Sequence, residues 1–400
     1  VQISSEQYAD GKQGLSVRVR LKGSFKFVGK SKRQFDWRFL DSDSLCELFL
    51  ENGVVNTFNG CVSLYSQVKG SRAKILAVRL FDDDPSRVSE SFVSETVYEK
   101  VVEGAAVIAK ALGAGGVAFV YEKANSAMKR IYGDFDVDGS ETAERFSDLF
   151  EGVKVRSVPV DVKKYPSGTM RNIVSASKSA ARSLSRKERD SYSLFSEFCL
   201  NDFFIDSQTA VGAFDAVVLR TPVMSRFVHV TGDSLNAAAI LRVKIGTPLR
   251  QLVEQCGGLK KRLARIVVNG IVLGYSVGSL DIPVSKMVKS VEFIPENQTT
   301  EECTEMCIRC GSCRKVCPMR LWPGNIYRAF KLAEVGDSRN GESEKAVLDS
   351  ARLCIECGLC NSVCPSRLPL RQTIAFAKAD LSESGAGNDS GMDNMPEYEI

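Results

Sequence analysis

The chain has 400 residues, of which 44% are hydrophobic and 26% are charged, and its formal net charge at pH 7 is +4. This length favours two or three domains, and so small a net charge gives no support for a nucleic-acid-binding protein. The longest apolar runs are shorter than the roughly 20 residues that a membrane-spanning helix needs, and the single histidine excludes metal sites built from histidines.

The first half of the chain predicts a layer of helices and strands. Residues 1–40 are polar and basic with short alternating stretches, which predict a few strands. From Asp41, the stretch SDSLCELFLENG predicts a helix capped by Ser42 or Ser44, and AKILAVRLF predicts a buried strand. A long helix over SETVYEKVVEGAAVIAKALGAGG and a second strand over VAFVYE follow. This order of elements favours an α/β domain, which we assign to residues 41–220.

A second, smaller domain is predicted over residues 221–294. The stretch before it, Lys178–Arg189, is basic and polar, which favours a solvated helix or loop over a binding patch. In LRVKIGTPLRQLVEQCGGL, a strand leads into a helix with Thr247 as N-cap and Pro248 as the first helical residue. LARIVVNGIVLGYSVG then predicts two strands around an Asn269-Gly270 turn. These elements predict an α+β domain.

The cysteines are concentrated in one segment. Of the thirteen cysteines in the chain, nine lie between Cys303 and Cys364. A long chain that is dense in cysteine at one place is typical of a metal site in a reducing compartment, whereas a secreted disulfide scaffold is short and cysteine-rich throughout. Two runs in this segment, CIRCGSCRKVCP from Cys307 and CIECGLCNSVCP from Cys354, have the same cysteine spacing and are offset by 47 residues.

The spacing within each run is typical of a [4Fe–4S] cluster. A Cys-x2-Cys-x2-Cys loop supplies three thiolates to one cubane, and in two-cluster ferredoxins the cysteine of the Cys-Pro pair ligates the other cluster. Gly311 and Gly358 allow close approach of the backbone, and Pro318 and Pro365 turn the chain away. We therefore assign Cys307, Cys310, Cys313 and Cys364 to the first cluster, and Cys354, Cys357, Cys360 and Cys317 to the second.

Zinc and disulfides are the alternatives for these cysteines. Structural zinc needs four ligands, usually from two Cys-x2-Cys pairs, so two identical four-cysteine runs do not match it. Cys303 is interpreted as a spare thiol with no ligand role. The four scattered cysteines are expected to be small buried hydrophobic residues; they are Cys46, Cys61, Cys199 and Cys256.

Helices are predicted around the cysteine runs. GNIYRAFKLAEV and SEKAVLDSARL, which lie between the runs, predict two helices, and LPLRQTIAFAKADL predicts a third with one apolar face. We therefore expect an α-helical ferredoxin-type domain with two clusters over residues 295–382. Residues 383–400 carry five acidic residues and no basic residue, and they predict a disordered acidic tail.

These motifs resemble the C subunit of the Rnf electron-transport complex over nearly all of Asp41–Leu381. Besides the cluster runs, RFVHVTGDSL and LRVKIGTPLRQLVEQCGG are similar to the β-grasp domain of that family, called SLBB, and DVKKYPSG is similar to its Tyr-Pro-x-Gly element at Tyr165–Gly168. More distant similarity extends to a cobalamin reductase and to the flavin-binding NADH subunit of respiratory complex I. The resemblance implies an α/β multidomain protein with a Rossmann-like α/β layer, an SLBB-like domain and a two-cluster domain.

The same resemblance implies a cellular setting. Members of the family are peripheral on the cytoplasmic, inner face of the cell membrane, in a complex that couples redox chemistry to ion transport. We therefore expect other Rnf-type membrane subunits as partners, and membrane contact through those partners only.

The chain departs from the family at the flavin site. The glycine-rich loop that holds FMN in relatives aligns with VVNTFNGCVSL, where only Gly60 remains, and Phe58 and Asn59 are expected to fill the flavin space. An acidic element aligns with RLFDDDPS, where Asp84-Pro85 is the nearest match. Residues 1–40 match only a remnant of the N-terminal barrel-sandwich domain of the family. We therefore expect no bound FMN and assign no catalytic residue.

Three functions remain for comparison. The first is an electron-transfer subunit whose electron donor or acceptor is a ferredoxin or flavodoxin rather than NADH. The second is a flavin-dependent NADH oxidoreductase of the cobalamin-reductase type, and the third is a non-redox scaffold with structural clusters. The first is favoured because the second needs an intact flavin loop and a scaffold needs only one cluster. Basic residues near the first cysteine run would match an acidic carrier, unless they are ordinary solvated charges; they are Arg309, Arg314, Lys315, Arg320, Arg328 and Lys331.

Overall fold

The computed structural model describes residues 2–8, 13–18, 36–58, 60–133, 141–182, 193–296, 306–334 and 342–385. The chain divides into two compact units, Val1–Thr299 and Thr300–Ile400. Several residues with sequence-based predictions lie outside the described residues; they are most of residues 1–40, Asn59, the basic stretch from residue 183 onward, Cys303 and the tail from residue 386.

The first unit begins with short strand pairs. Strands β1 (Gln2–Gln7) and β2 (Gln13–Arg18) pair in antiparallel fashion within the segment where strands were predicted. Strands β3 (Val55–Asn56) and β4 (Val62–Ser63) form a second antiparallel pair.

A four-stranded parallel sheet forms the centre of the first unit, in the order β7-β6-β5-β8. Its strands are β5 (Ile75–Arg79), β6 (Gly116–Glu122), β7 (Lys154–Val160) and β8 (Phe203–Asp206). All residues of β5 and β8 are buried, as expected for a parallel sheet that helices cover on both faces. The chain runs outward from β5 to β7 and then returns to place β8 beside β5. The order of strands therefore reverses between β5 and β8.

Helices pack on this sheet. The helices of this region are α1 (Ser42–Glu51), α2 (Leu64–Lys69), α3 (Ser89–Thr96), α4 (Tyr98–Leu112), α5 (Ser126–Tyr132), α6 (Glu141–Phe146), α7 (Met170–Arg182), α8 (Ser193–Ser196) and α9 (Ser207–Val217), with 3₁₀ turns at Trp37–Phe39 and Ser147–Leu149. Helices α4 and α9 approach closely at Gly104, which has no side chain. A Cβ atom at this position would lie 1.9 Å from the carbonyl oxygen of Ala210.

Some predicted boundaries in this region were wrong. The N-cap of α1 is Asp41 rather than Ser42 or Ser44. The long helix predicted from Ser94 is interrupted at Val97, whose φ of −125° and ψ of 33° are not helical, so it forms the end of α3 and all of α4. Gly113 ends α4 with a φ of 65°, as expected for glycine at a helix C-terminus.

The second part of this unit is a five-stranded sheet in the order β10-β9-β13-β11-β12, in which β9 and β13 are parallel and the other pairs are antiparallel. One helix packs on it, and it begins at Leu249 with Pro248 as N-cap, one residue later than predicted. The elements are β9 (Ser225–Thr231), β10 (Ala239–Lys244), α10 (Leu249–Gln255), β11 (Leu263–Val268), β12 (Tyr275–Val277) and β13 (Ser290–Pro295).

The second unit is helical, and its fold repeats with the offset of the cysteine runs. The short helices α11 (Ser312–Lys315) and α14 (Leu359–Ser362) are 47 residues apart, and so are the starts of α12 (Pro323–Glu334) and α15 (Leu370–Gly385). Between the two halves lie α13 (Glu342–Asp349) and a 3₁₀ turn at Ser350–Leu353. Residues with positive φ recur at the same offset; the pairs are Arg309 and Glu356, Gly311 and Gly358, and Arg320 and Arg367.

Candidate metal centres

Four cysteines surround a cavity of about 220 Å³ in the second unit. Three of them come from the first run and the fourth is the Cys-Pro cysteine of the second run; they are Cys307, Cys310, Cys313 and Cys364. Gly311, which precedes α11 with a φ of 74°, also lines this cavity. The structure therefore brings together the four residues that the sequence assigned to the first cluster.

A second, tighter cavity of about 20 Å³ is lined by the other four cysteines of the two runs. They are Cys354, Cys357 and Cys360 of the second run and Cys317 of the first. Gly358, with a φ of 76°, lines this cavity in the position that Gly311 has at the first. Each cavity is thus lined by three cysteines of one run and one cysteine of the other.

The short helices explain how each run serves two cavities. Helix α11 carries Cys313 to the first cavity, and Cys317, two residues after the end of the helix, lines the second. Four residues of helix span about 6 Å. The two cavities are therefore neighbours, and α14 with Cys360 and Cys364 repeats the arrangement.

The chemistry of the cysteine donors favours clusters over single ions. Within the part of the chain that the structure describes, no three His, Cys, Asp or Glu side chains converge closely enough to hold one metal ion. Burial raises the pKa of Cys354 and Cys357, and it raises the pKa of Cys360 to about 12. Buried thiolates of this kind are stable only beside a compensating cation, which the irons of a cluster supply.

The first cavity opens to solvent through an apolar surface. Cys307 and Cys310 are exposed, and beside them Met306, Ile308 and Trp322 are 89%, 64% and 47% exposed. The guanidinium of Arg314 lies 3.8 Å from the centroid of the Trp322 ring. Of the basic residues in and after the first cysteine run, Arg309 lines this cavity and Arg314 contacts Trp322. All six of these basic residues are exposed; they are Arg309, Arg314, Lys315, Arg320, Arg328 and Lys331.

The second cavity is more enclosed. Cys357 and Cys360 are buried, and the side chain of Arg371, which is 4% exposed, also lines the cavity. Nε of Arg371 donates a hydrogen bond of 3.0 Å to the carbonyl oxygen of Glu356. The Glu356 carboxylate in turn accepts a hydrogen bond of 3.0 Å from Nζ of Lys378.

The strand order of the first sheet reverses between β5 and β8. In open α/β sheets, ligands bind beyond the carboxyl ends of the strands where the strand order reverses. Here those ends are Arg79 and Asp206, which are paired in register and buried. Nζ of Lys289 lies 2.5 Å from Oδ2 of Asp206 and 3.2 Å from Oε1 of Glu90. A buried ion network therefore occupies this edge of the sheet.

The charges of this network compensate one another. Burial raises the pKa of Glu90, and the charge of Asp206 raises it further. Burial alone would also raise the pKa of Asp206, but Lys289 and Arg226 hold it far below its usual value. Both lysine and arginine come from the β-grasp part of the unit, so the network joins the two sheets.

The segment around Gly60, which matches the flavin loop of the family, lies against this network. The ring of Phe58 stacks on the guanidinium of Arg79, at 4.3 Å from the ring centroid. Nη1 of Arg79 donates a hydrogen bond of 2.8 Å to the carbonyl oxygen of Gly168, which ends the Tyr-Pro-x-Gly element. Gly60 has a φ of 124° and no heavy atom within 4 Å of its would-be Cβ.

Asp84 has a structural role that the sequence did not reveal. Its Oδ2 accepts hydrogen bonds from the backbone amides of Val272 and Leu273, at 3.0 and 2.7 Å, in the loop after β11. A Cβ at Gly270 would lie 2.3 Å from Cγ of Asp84, so this contact requires glycine there. The residue that matched the acidic element of the family therefore fixes a loop of the β-grasp sheet.

The scattered cysteines do not share one environment. Cys46 and Cys256 are buried, as predicted, whereas Cys61 and Cys199 are exposed, so the prediction of four buried cysteines was wrong for two of them.

Comparison with known families and proteins identifies the two domains that the sequence motifs suggested. Residues 303–368 match the 4Fe-4S dicluster domain family, and residues 227–274 match the SLBB domain family. The C subunit of an ion-translocating oxidoreductase complex from Rhodobacter capsulatus is 31% identical over 286 residues, which are 71% of this chain and 49% of the relative. The chain is related to the C subunits of Rnf-type ion-translocating oxidoreductase complexes. This confirms the resemblance and the multidomain α/β fold class predicted from the sequence.

Further relatives of the same type carry more specific names. The C subunit of the proton-translocating ferredoxin:NAD(+) oxidoreductase complex of Clostridium ljungdahlii is 26% identical over 57% of this chain and 45% of the relative. The C subunit of the Na(+)-translocating ferredoxin:NAD(+) oxidoreductase complex of Acetobacterium woodii is 22% identical over 82% of this chain and 69% of the relative. The chain spans about half the length of the Rhodobacter and Clostridium proteins.

A solved structure shares the fold. An NAD+-reducing [NiFe]-hydrogenase in the air-oxidized state superposes on 85% of this chain and 63% of its own, with a TM-score of 0.53 and 15% sequence identity. At this identity the similarity extends to the fold alone.

Proposed function

We propose that this chain is an electron-transfer subunit of an Rnf-type ion-translocating oxidoreductase complex, and that it relays single electrons through two [4Fe–4S] clusters. The observation that carries this proposal is that each of two neighbouring cavities is lined by four cysteines. Each cubane, when bound, accepts and passes on one electron. Cys307, Cys310, Cys313 and Cys364 hold the first cluster, and Cys354, Cys357, Cys360 and Cys317 hold the second.

Two neighbouring clusters favour a relay over a scaffold. A single cluster is enough to join the helices of so small a unit, whereas a relay needs a second site within reach of the first. The exposed thiols of Cys307 and Cys310 give the first cluster contact with solvent, and the buried thiols of Cys357 and Cys360 keep the second inside. One end of the pair is thus accessible to an external carrier.

The chain does not hold FMN in this proposal. At the edge between β5 and β8, the Asp206 carboxylate is paired with Lys289, and Nη1 of Arg79 donates to the carbonyl oxygen of Gly168. The Phe58 ring covers the Arg79 guanidinium. A flavin phosphate needs free backbone amides and uncompensated positive charge. These residues therefore do not fit FMN, and the edge serves to join the two sheets of the first unit.

Loss of the flavin determines the class of electron carrier. NADH delivers a hydride, which carries two electrons, and a flavin is needed to divide them into single electrons for clusters. We therefore infer a one-electron carrier of the ferredoxin or flavodoxin class. A reduced carrier loses one electron and the first cluster gains it, and no bond forms or breaks.

The surface beside the first cluster suits an acidic carrier, and these carriers are acidic as a class. Met306, Ile308 and Trp322 form an exposed apolar centre next to the thiols of Cys307 and Cys310. Two exposed arginines lie at this centre, since Arg309 lines the cavity and Arg314 stacks on Trp322. Complementary charge accelerates association and is screened by salt, so the rate of reduction should fall as ionic strength rises.

The remaining partners follow from the relatives, whose names describe complexes that translocate ions. Among the described residues, no helix is long and apolar enough to cross a membrane. We propose that the chain reaches the cytoplasmic face of the membrane through other Rnf-type subunits.

Stopped-flow reduction of the anaerobically purified protein tests this function. We expect cluster bleaching by reduced ferredoxin or flavodoxin, with a rate that falls steeply with salt, and no bleaching by NADH with or without added FMN. Replacing Arg314 and Lys315 by Glu should slow the reaction at low salt. The matched control replaces the exposed pair Lys260 and Lys261 of the first unit by Glu, which changes net charge equally and should slow the reaction much less.

Two results would contradict the proposal. Rapid reduction by NADH, or FMN retained through purification, would mean that a flavin site exists despite the ion network. Equal rates for the Arg314/Lys315 and Lys260/Lys261 double variants would mean that the carrier does not bind at the first cluster.

A further inference from the structure

The two halves of the second unit differ in charge at two equivalent positions that line the cavities. Arg309 at the first cavity corresponds to Glu356 at the second, and Gly324 at the first corresponds to Arg371 at the second. Gly324 and Arg371 are the second residues of α12 and α15, and they are equivalent in the 47-residue repeat. Gly324 lines the first cavity and Arg371 lines the second. At the position of Gly324 and Arg371, the repeat therefore places no side chain at the first cavity and a cation at the second.

The positive charge of Arg371 is held inside the protein. Its side chain is 4% exposed and is oriented by the hydrogen bond from Nε to the carbonyl oxygen of Glu356. The nearby Glu356 carboxylate is compensated by Lys378, at 3.0 Å. The cations at the first cavity are exposed, so water and salt screen them, whereas a buried charge acts through a lower effective dielectric.

We propose that Arg371 raises the reduction potential of the second cluster. An electron shared between the two clusters would then reside mainly on the second, enclosed cluster. One electron leaves the reduced first cluster and enters the oxidised second cluster, and no proton moves or bond changes. The added electron makes the second cluster more negative, and a buried cation at its edge stabilises that form. The net charge around a cluster is one of the factors that set its potential. This inference rests on the proposed function.

Redox titration followed by electron paramagnetic resonance tests this role. The signal of the second cluster is identified first as the one that Cys357→Ser alters. Arg371→Gln should then lower the midpoint of that signal alone, by a shift that corresponds to at least a tenfold change in the one-electron equilibrium, or about 59 mV. Arg371→Lys keeps the charge and should stay near wild type. Arg352→Gln removes an exposed arginine close to Cys354 and should have no effect.

If Arg371→Gln fails to bind its cluster, a second variant that adds a cation at the equivalent position of the first cavity tests the same idea. A Cβ at Gly324 would lie 3.6 Å from Sγ of Cys307 and of Cys313, which is an ordinary contact distance. The Cβ of a lysine at position 324 therefore meets no steric clash, and Gly324→Lys, which adds a cation beside the first cavity, should raise the midpoint of the first cluster.

The outcomes separate this inference from the proposed function. Unchanged midpoints in both Arg371→Gln and Gly324→Lys, with full iron content, would overturn the role of Arg371 and leave the relay intact. Equal shifts in Arg371→Gln and Arg371→Lys would also overturn it, because the charge would then not be the cause. A wild-type protein without two cluster signals would instead overturn the proposed function.

Discussion

Lys289 is the residue that balances the buried acids of the first unit. Its ammonium group lies between Asp206 at the end of β8 and Glu90 in α3, and its side chain is 5% exposed. Removing one partner from a buried ion network leaves the opposite charge without compensation, which destabilises a protein far more than loss of an exposed ion pair does. The stability of the first unit should therefore depend strongly on this one lysine.

The first prediction concerns that dependence. Lys289→Met should lower the free energy of unfolding of the first unit by about 3–5 kcal/mol, because Asp206 and Glu90 stay buried and lose their cation. The control Lys100→Met removes a partly exposed lysine that pairs with Asp215 at 3.1 Å, and it should cost less than about 1 kcal/mol.

Urea denaturation measures both variants. The chain has two tryptophans, of which Trp37 is 4% exposed in the first unit, so a Trp322→Phe background leaves Trp37 as the reporter of that unit. Similar losses in Lys289→Met and Lys100→Met would show that the network is not essential to the fold.

The sequence could not predict this network. Glu90, Asp206 and Lys289 are far apart along the chain, and each is an ordinary charged residue in its own stretch. Only the return of β8 to the side of β5, and the packing of the second sheet, bring them together. What the sequence did indicate was the scarcity of glycine around Gly60, where the family that it resembles has a glycine-rich loop.

At the scale of elements, the short helices α11 and α14 determine how the cysteine runs are shared. Each helix has one cysteine at the cavity of its own run and is followed by one at the cavity of the other run. The spacing of cysteines predicted this exchange because that spacing is itself imposed by cluster geometry. The break at Val97 was not predicted, since the apolar pattern continues through it and tertiary packing decides where the helix bends.

The second prediction tests the exchange of cysteines. Cys317→Ala should damage the cluster held by Cys354, Cys357 and Cys360, because it removes a ligand of the second cavity although it lies in the first run. Cys364→Ala should damage the first cluster. Electron paramagnetic resonance of each reduced variant identifies the signal that changes, and Cys303→Ala is the control that should preserve both.

The opposite pairing would be visible in the same spectra. If Cys317→Ala removed the signal that Cys310→Ala also removes, each run would hold its own cluster and the ligand assignment would be wrong.

At the scale of the whole molecule, the chain combines a unit built on two sheets and a helical unit with two cavities that are each lined by four cysteines. The 4Fe-4S dicluster and SLBB matches confirm the families that the motifs suggested. Motifs were predictive where chemistry constrains residue type and spacing, as in the cysteine runs. They were less predictive for Asp84, whose carboxylate accepts hydrogen bonds from backbone amides of a distant loop. An aspartate can make such hydrogen bonds at many places in a fold, so its sequence context alone does not reveal this role.

The number of clusters is the central claim, and metal analysis of the anaerobically purified chain tests it most directly. Two cubanes require about eight irons and eight acid-labile sulfides per chain. We expect these values together with the absorption of [4Fe–4S] clusters, and no stoichiometric zinc. About four irons per chain, or zinc in place of iron, would contradict the account.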